Sequence, residues 1–210
     1  MTMTSPLHQT LVWTIQEIGK TVAKVDSVAP NSLRIRSNGT QLIASTDDLC
    51  FLERKLEGNG TLTVQIASLD NTDIYAKAGI QIRETLEGNA PHAMIEWTPS
   101  GYAYFQYRER YGEYVNYSQY DYAKLPLWLR LTREGDQITG FISEDGTNFK
   151  QIGTVILKMN QQVYIGLAVT SNSKQATTTL IQNITLQGES HNGGPQHHSV
   201  SMNQIRNIHN

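Results

Sequence analysis

The residues with the clearest chemical potential lie in one stretch, Gly101 to Tyr122, which holds eight of the ten tyrosines. Arg108, Arg110, Glu109, Glu113, Gln106 and Asn116 are interleaved with them. A sugar ring presents apolar C–H faces that stack on aromatic rings, and hydroxyls that need polar partners; tyrosine supplies both a face and a polar tip. Tyr104, Tyr111, Tyr114 and Tyr117 are therefore candidate ligand contacts. A purely architectural explanation competes with this one, because cross-strand tyrosine pairs also stabilise an exposed hairpin.

Charged residues outside the tyrosines extend the candidate set. In strands, successive side chains point to opposite sides, and the alternation can be read in four segments. Ala78, Ile80 and Ile82 oppose Lys77, Gln81 and Arg83, while Ala93, Ile95 and Trp97 oppose His92, Met94 and Glu96. Ala103, Phe105 and Tyr107 oppose Tyr102, Tyr104, Gln106 and Arg108, and Leu127, Leu129 and Leu131 oppose Trp128 and Arg130. If these strands share a sheet, one face is a core and the other gathers Arg83, Glu96, Tyr104, Gln106, Arg108, Trp128 and Arg130 as a polar, aromatic ligand surface. Arg and Glu side by side also form structural ion pairs, worth under about 1 kcal/mol when exposed.

Catalytic arrangements are sparse. A retaining glycosidase needs two carboxyls about 5 to 5.5 Å apart, and the strand carrying Glu96 has no second acid on its face. Glu96 alone stands as the candidate acid or base if the protein is an enzyme. Asp47, Asp48, Asp70 and Asp73 lie in oxygen-rich loops of the kind that hold Ca²⁺, although turn chemistry accounts for them as well. No other metal or cofactor is expected. His191, His197, His198 and His209 fall in a stretch without fixed geometry, and Cys50 reads as a small buried hydrophobe.

These residues must be positioned by strands. From Thr10 onward, short apolar stretches alternate with turn clusters every 8 to 14 residues, the spacing of an all-β sandwich or barrel. Strands are predicted at Cys50 to Leu56, Thr61 to Ser68, Lys77 to Glu84, His92 to Trp97, Tyr102 to Tyr111, Glu113 to Tyr120 and Trp128 to Arg133, among others. Residues 1–9 read as a flexible N-terminus, 10–188 as the folded domain and 189–210 as a flexible tail containing His, Asn and Gly.

Composition narrows the partners. The chain has 210 residues, a single cysteine and a formal charge of -2, so it needs no disulfide and carries no polycation for nucleic acid. Charged residues are 17% against a usual level of about 25%, and Thr, Asn, Gln and Tyr supply the remaining polarity. No apolar run reaches the roughly 20 residues of a membrane span, and no signal segment opens the sequence. A cytoplasmic protein without membrane association is the expectation. Asn-x-Thr/Ser triplets at Asn38, Asn59, Asn116 and Asn183 would be glycosylation acceptors only in a eukaryotic secreted setting.

From Trp13 to about Leu186 the order of short motifs resembles a known family. The motifs include Trp13 to Gly19, Ala76 to Arg83, Phe105-Gln-Tyr-Arg108, Trp128 to Arg133, Ser143-Glu-Asp-Gly146 and Ile165 to Ser171. The chain is similar to the concanavalin A-like β-sandwich modules, related to the "regulation of enolase" type, that recur in bacterial glycan-processing proteins. The resemblance implies a jelly roll of two antiparallel sheets with a concave ligand face. Phe149 and Tyr75 stand where that pattern usually has Trp, and the tyrosine-rich hairpin is this chain's own addition.

The expected function is thus a non-catalytic, lectin-like module that binds carbohydrate on that sheet face and hairpin. Two alternatives are an enzyme on the same scaffold for a small aromatic or polyprenyl-like substrate, using Glu96, Arg108 or a tyrosine, and a protein-interaction module or homo-oligomer.

Overall fold

The computed structural model of the protein describes residues 11–40, 42, 44–191 and 199–201. The expected N-terminal segment, residues 1–9, lies outside them. Within the stretch expected as a tail, residues 189–191 continue a strand and 199–201 form another, and the rest, His197, His198 and His209 included, is outside the described residues.

The described chain is all-β and antiparallel. One sheet runs in the order β14 (Ser199–Ser201), β1 (Val12–Ile18), the first half of β4 (Leu49–Leu69), β12 (Gln162–Thr170), β5 (Lys77–Arg83), β6 (His92–Thr98), β7 (Tyr102–Arg108) and β8 (Asn116–Tyr122). The other runs β11 (Lys150–Ile156), β10 (Gln137–Ser143), β9 (Leu127–Glu134), the second half of β4, β13 (Thr177–His191), β3 (Ser32–Ser37) and β2 (Ala23–Ala29). Two strands were expected at Cys50 to Leu56 and Thr61 to Ser68. Instead a single strand of 21 residues spans both and belongs to both sheets. It changes sheet near Gly58, whose φ of 69° suits a residue without a side chain.

The alternation read from the sequence holds. Ala78, Ile80, Ile82, Ala93, Ile95, Trp97, Ala103 and Phe105 face inward and share one core with Leu62, Val64, Ile66, Leu127, Leu129 and Leu131. Each fully buried Ile or Leu stabilises the sandwich by roughly 1.5 to 3 kcal/mol. Phe105 fits because the facing strands carry glycine: a Cβ on Gly140 or Gly153 would lie 2.5 or 2.3 Å from its ring. Cys50 is buried in this core, and burial pushes its thiol pKa up.

The opposite face of the first sheet departs from expectation. The segment joining β3 to β4 folds over part of it, and Leu42, 1% exposed, packs there with Ile18, Leu49, Phe51, Met94 and Ala168 as a second apolar cluster. Asp48 anchors that segment: one carboxylate oxygen accepts from Lys20 N and Thr21 Oγ1, the other from Thr40 N and Oγ1. Half of the presumed ligand hollow is therefore filled by the protein itself.

Candidate functional site

Cross-strand register arranges the outer face of the first sheet in rows. Arg83, His92 and Arg108 form one row, Gln81, Met94, Gln106 and Tyr117 the next, and Gly79, Glu96, Tyr104 and Tyr120 the third. The face is shared, as the alternation predicted, but its two ends differ in what covers them.

At the first end Arg83, Arg108, His92 and Asp47 are buried together beneath the covering segment. Asp47 accepts from Arg83 Nη1 at 2.5 Å and from Arg108 Nη2 at 2.6 Å. Arg108 also donates to the carbonyls of Ala44, Gly88, Ala90 and Glu113, and Arg83 to that of Glu87. Burial alone would raise the Asp47 pKa; His92, Arg83 and Arg108 outweigh it and hold the carboxyl below the usual carboxylate range. Burial drives His92 down to about 3, so its imidazole is neutral.

This arrangement corrects several expectations. Arg83, Gln106 and Arg108 are not ligand contacts: they are fully buried, with Gln106 Nε2 donating to the Leu42 carbonyl. Asp47 and Asp48 are not calcium ligands, because arginines and loop donors occupy their oxygens. Among the described residues no three His, Cys, Asp or Glu side chains converge as a metal site. Trp128 and Arg130 lie on the other sheet, where Arg130 stacks 3.6 Å above the Phe149 ring and donates to Thr63 Oγ1. Tyr114 is 73% exposed on the loop between β7 and β8, and Tyr111 on the same loop reaches Thr85 Oγ1 at 3.4 Å; neither lines a cavity with the others.

The second end is open. A cavity of about 360 Å³ is lined by Tyr75, Lys77, Tyr104, Tyr117, Tyr120 and Asn172. Tyr104 and Tyr120 are register partners, and their rings lie 5.7 Å apart. Tyr117 reaches the same wall through a β-bulge: Phe105 pairs with Gln119 and Gln106 with Tyr117, so Ser118 is skipped. That extra residue returns Tyr117 to the face of Tyr120 and sets its ring edge-on to Tyr104 at 5.8 Å. The tyrosines have an architectural role, since Tyr102, Tyr104, Tyr117, Tyr120 and Tyr122 form a continuous ring ladder along the hairpin.

The facing wall depends on Asp73. Its Oδ1 accepts from the Tyr75 backbone N–H at 2.7 Å and from Asn172 Nδ2 at 3.0 Å, tying together two loops that line the cavity. Thr72 Oγ1 adds a bond to the Ser171 carbonyl. Asp70 contributes through its backbone carbonyl, which accepts from Thr177 Oγ1.

Lys77 forms the polar floor, with Glu96 buried behind it. Lys77 Nζ lies 3.6 Å from Glu96 Oε1, too long for a hydrogen bond, and donates to the Tyr75 carbonyl at 3.2 Å. Gly79, opposite Glu96, brings the two strands close; a Cβ there would meet Glu96 Cα at 2.7 Å. Glu96 is 0% exposed, and neither of its oxygens accepts a hydrogen bond. Burial raises its pKa to about 7 against the pull of Lys77. Burial and the nearby Glu96 carboxyl push the Tyr117 phenol upward as well.

Sequence reasoning placed Lys77 on this face but did not single out Tyr75, Lys77, Tyr120 and Asn172, which line the cavity. Tyr75 carried a signal, standing where the resembled family has Trp. Asn172 carried none.

No family model matches the chain, and no curated protein matches it. The expected tie to the regulation-of-enolase type finds no support among the similar structures. A Saccharomyces cerevisiae protein of unknown function has a TM-score of 0.66 at 16% identity, over 84% of this chain and 96% of that one. The carbohydrate-binding module CBM66 from Bacillus subtilis has 0.56 at 14%, over 85% and 97%. A family 7 alginate lyase has 0.52 at 9%, over 79% and 83%. At these identities the likeness establishes the fold, a jelly-roll β-sandwich of the concanavalin A-like kind, and nothing finer.

Proposed function

We propose that this protein is a carbohydrate-binding module whose ligand occupies the tyrosine-lined cavity at the β7–β8 end of the first sheet. The single observation that carries the reading is the composition of that cavity. Four tyrosines wall a space of about 360 Å³ above a Lys77 floor, and apolar walls with a few convergent polar groups are what a small-ligand site needs. Sugar C–H faces would stack on Tyr104 and Tyr117, and ring hydroxyls would bond to Lys77 and Asn172. The space suits about one or two sugar rings rather than a long chain. A fold shared with a carbohydrate-binding module supports the reading by analogy.

Binding is favoured over hydrolysis because the residues that line the cavity include no carboxylate, and hydrolysis with retention or inversion calls for two. Titration of a glycan panel into the protein tests the reading. At least one glycan binds without turnover, and Tyr104→Ala with Tyr117→Ala weakens it by about tenfold or more. If the double variant binds every glycan as the wild type does, the reading fails.

A further inference from the structure

The floor of the cavity restricts which sugar fits, and this inference rests on the carbohydrate-binding reading above. An ammonium carries three donors, and Lys77 commits one of them, to the Tyr75 carbonyl. Its other hydrogens have only the Glu96 carboxyl near them, at 3.6 Å. Glu96 is enclosed and neither oxygen accepts a hydrogen bond, a costly state for a carboxylate and a tolerable one for a carboxylic acid. The cavity lining therefore offers donors and a positive charge from Lys77, with Glu96 buried behind it.

A cationic ligand meets a place already taken, since the Lys77 ammonium sits 6.0 Å from the centre of the Tyr75 ring. A neutral sugar engages the tyrosines but brings no charge to meet the ammonium. We propose that the cavity takes a sugar bearing a carboxylate, a uronic acid or a related acidic sugar, with that carboxylate accepting from Lys77 Nζ. Its ring face lies against Tyr104 and Tyr117. Glu96 is faced by Lys77 from β5, Tyr104 from β7, Tyr117 from β8 and Tyr75 from the loop before β5. Asp73, behind the rim, is held by Tyr75 N and Asn172. With Glu96 titrating near 7, its carboxyl is uncharged below neutrality, and above it two carboxylates would compete for the same ammonium.

Paired disaccharides that differ only at C6 test this: uronic acid dimers of the gluco, galacto and manno series against the corresponding neutral hexose dimers, titrated at pH 6 and pH 8. At pH 6 at least one uronic dimer binds about tenfold or more tighter than its neutral counterpart, and the advantage shrinks several-fold at pH 8. Lys77→Gln brings the paired dimers to within about twofold of each other, with the fold checked by circular dichroism. Glu96→Gln, which is uncharged at every pH and leaves Lys77 to the ligand, raises acidic-sugar affinity at pH 8 to its value at pH 6. Neutral dimers binding as tightly as uronic ones overturn this inference and leave the carbohydrate-binding reading standing. If no dimer of either kind binds, while the tyrosine variants also leave the full glycan panel unaffected, both fall.

Discussion

Two ends of one sheet face are built from the same kinds of side chain and do opposite things. At one end Asp47, Arg83 and Arg108 are enclosed, and the acid and both guanidiniums have hydrogen-bond partners supplied by the protein. At the other, Glu96 is equally enclosed yet unpaired, and Lys77 faces it across 3.6 Å under a wall of tyrosines. A charged cluster whose valences are all met inside the fold holds a covering segment in place. One whose valences stay open beside a cavity is equipped to take them from a ligand.

The largest way to break this comparison is at the closed end. Asp47→Ala leaves two buried guanidiniums without their counter-charge, and urea unfolding should register a loss of about 3 to 5 kcal/mol. A much smaller loss would mean that the covering segment does not depend on this acid.

At the open end the sign reverses with pH. The folded pKa of Glu96, about 7, lies above its ordinary 4.5, so the stability it contributes is present below about pH 4.5 and is lost as pH rises through 7. The difference approaches about 3 kcal/mol. Unfolding of wild type and Glu96→Gln at pH 5 and pH 8 should show the variant gaining on the wild type at the higher pH. His92 runs the other way, its depressed pKa lending stability above 6.5 that is lost as pH falls toward 3. It is common to both proteins and drops out of their difference.

Smaller effects sharpen the boundary of the site. Asp73→Ala releases Tyr75 and Asn172 and should weaken glycan binding by about three- to tenfold, whereas Asp73→Asn, which keeps the accepting oxygen, restores it. Trp128→Ala and Arg130→Ala, on the other sheet, should leave affinity within about twofold of wild type.

The fold was largely legible because strand periodicity depends on local alternation, which the sequence displays directly. The phases of Ala78, Ile80 and Ile82, and of Ala103 and Phe105, placed the core correctly. Strand β1, with Trp13 in the core, was visible only as part of a motif, and β2 not at all, since their alternation is broken by polar residues such as Gln16 and Asp26. The site was half legible. Phase put Arg83, Glu96 and Arg108 on one face but could not reveal that Leu42 and Asp47, distant in sequence, would close over part of it. Nor does alternation foresee a bulge, so Tyr117 and Tyr120, three residues apart, looked like opposite faces of β8. Trp128 and Arg130 were misplaced for the complementary reason: phase assigns a face within a strand, but not the sheet to which the strand belongs.

The most direct test of the account is a crystal structure with the tightest-binding glycan of the panel. The account predicts a sugar ring packed on Tyr104 and Tyr117, within hydrogen-bond distance of Lys77. A sugar seated elsewhere, on the Trp128 and Phe149 surface or on the exposed Tyr114 loop, with the tyrosine cavity unfilled, would contradict it.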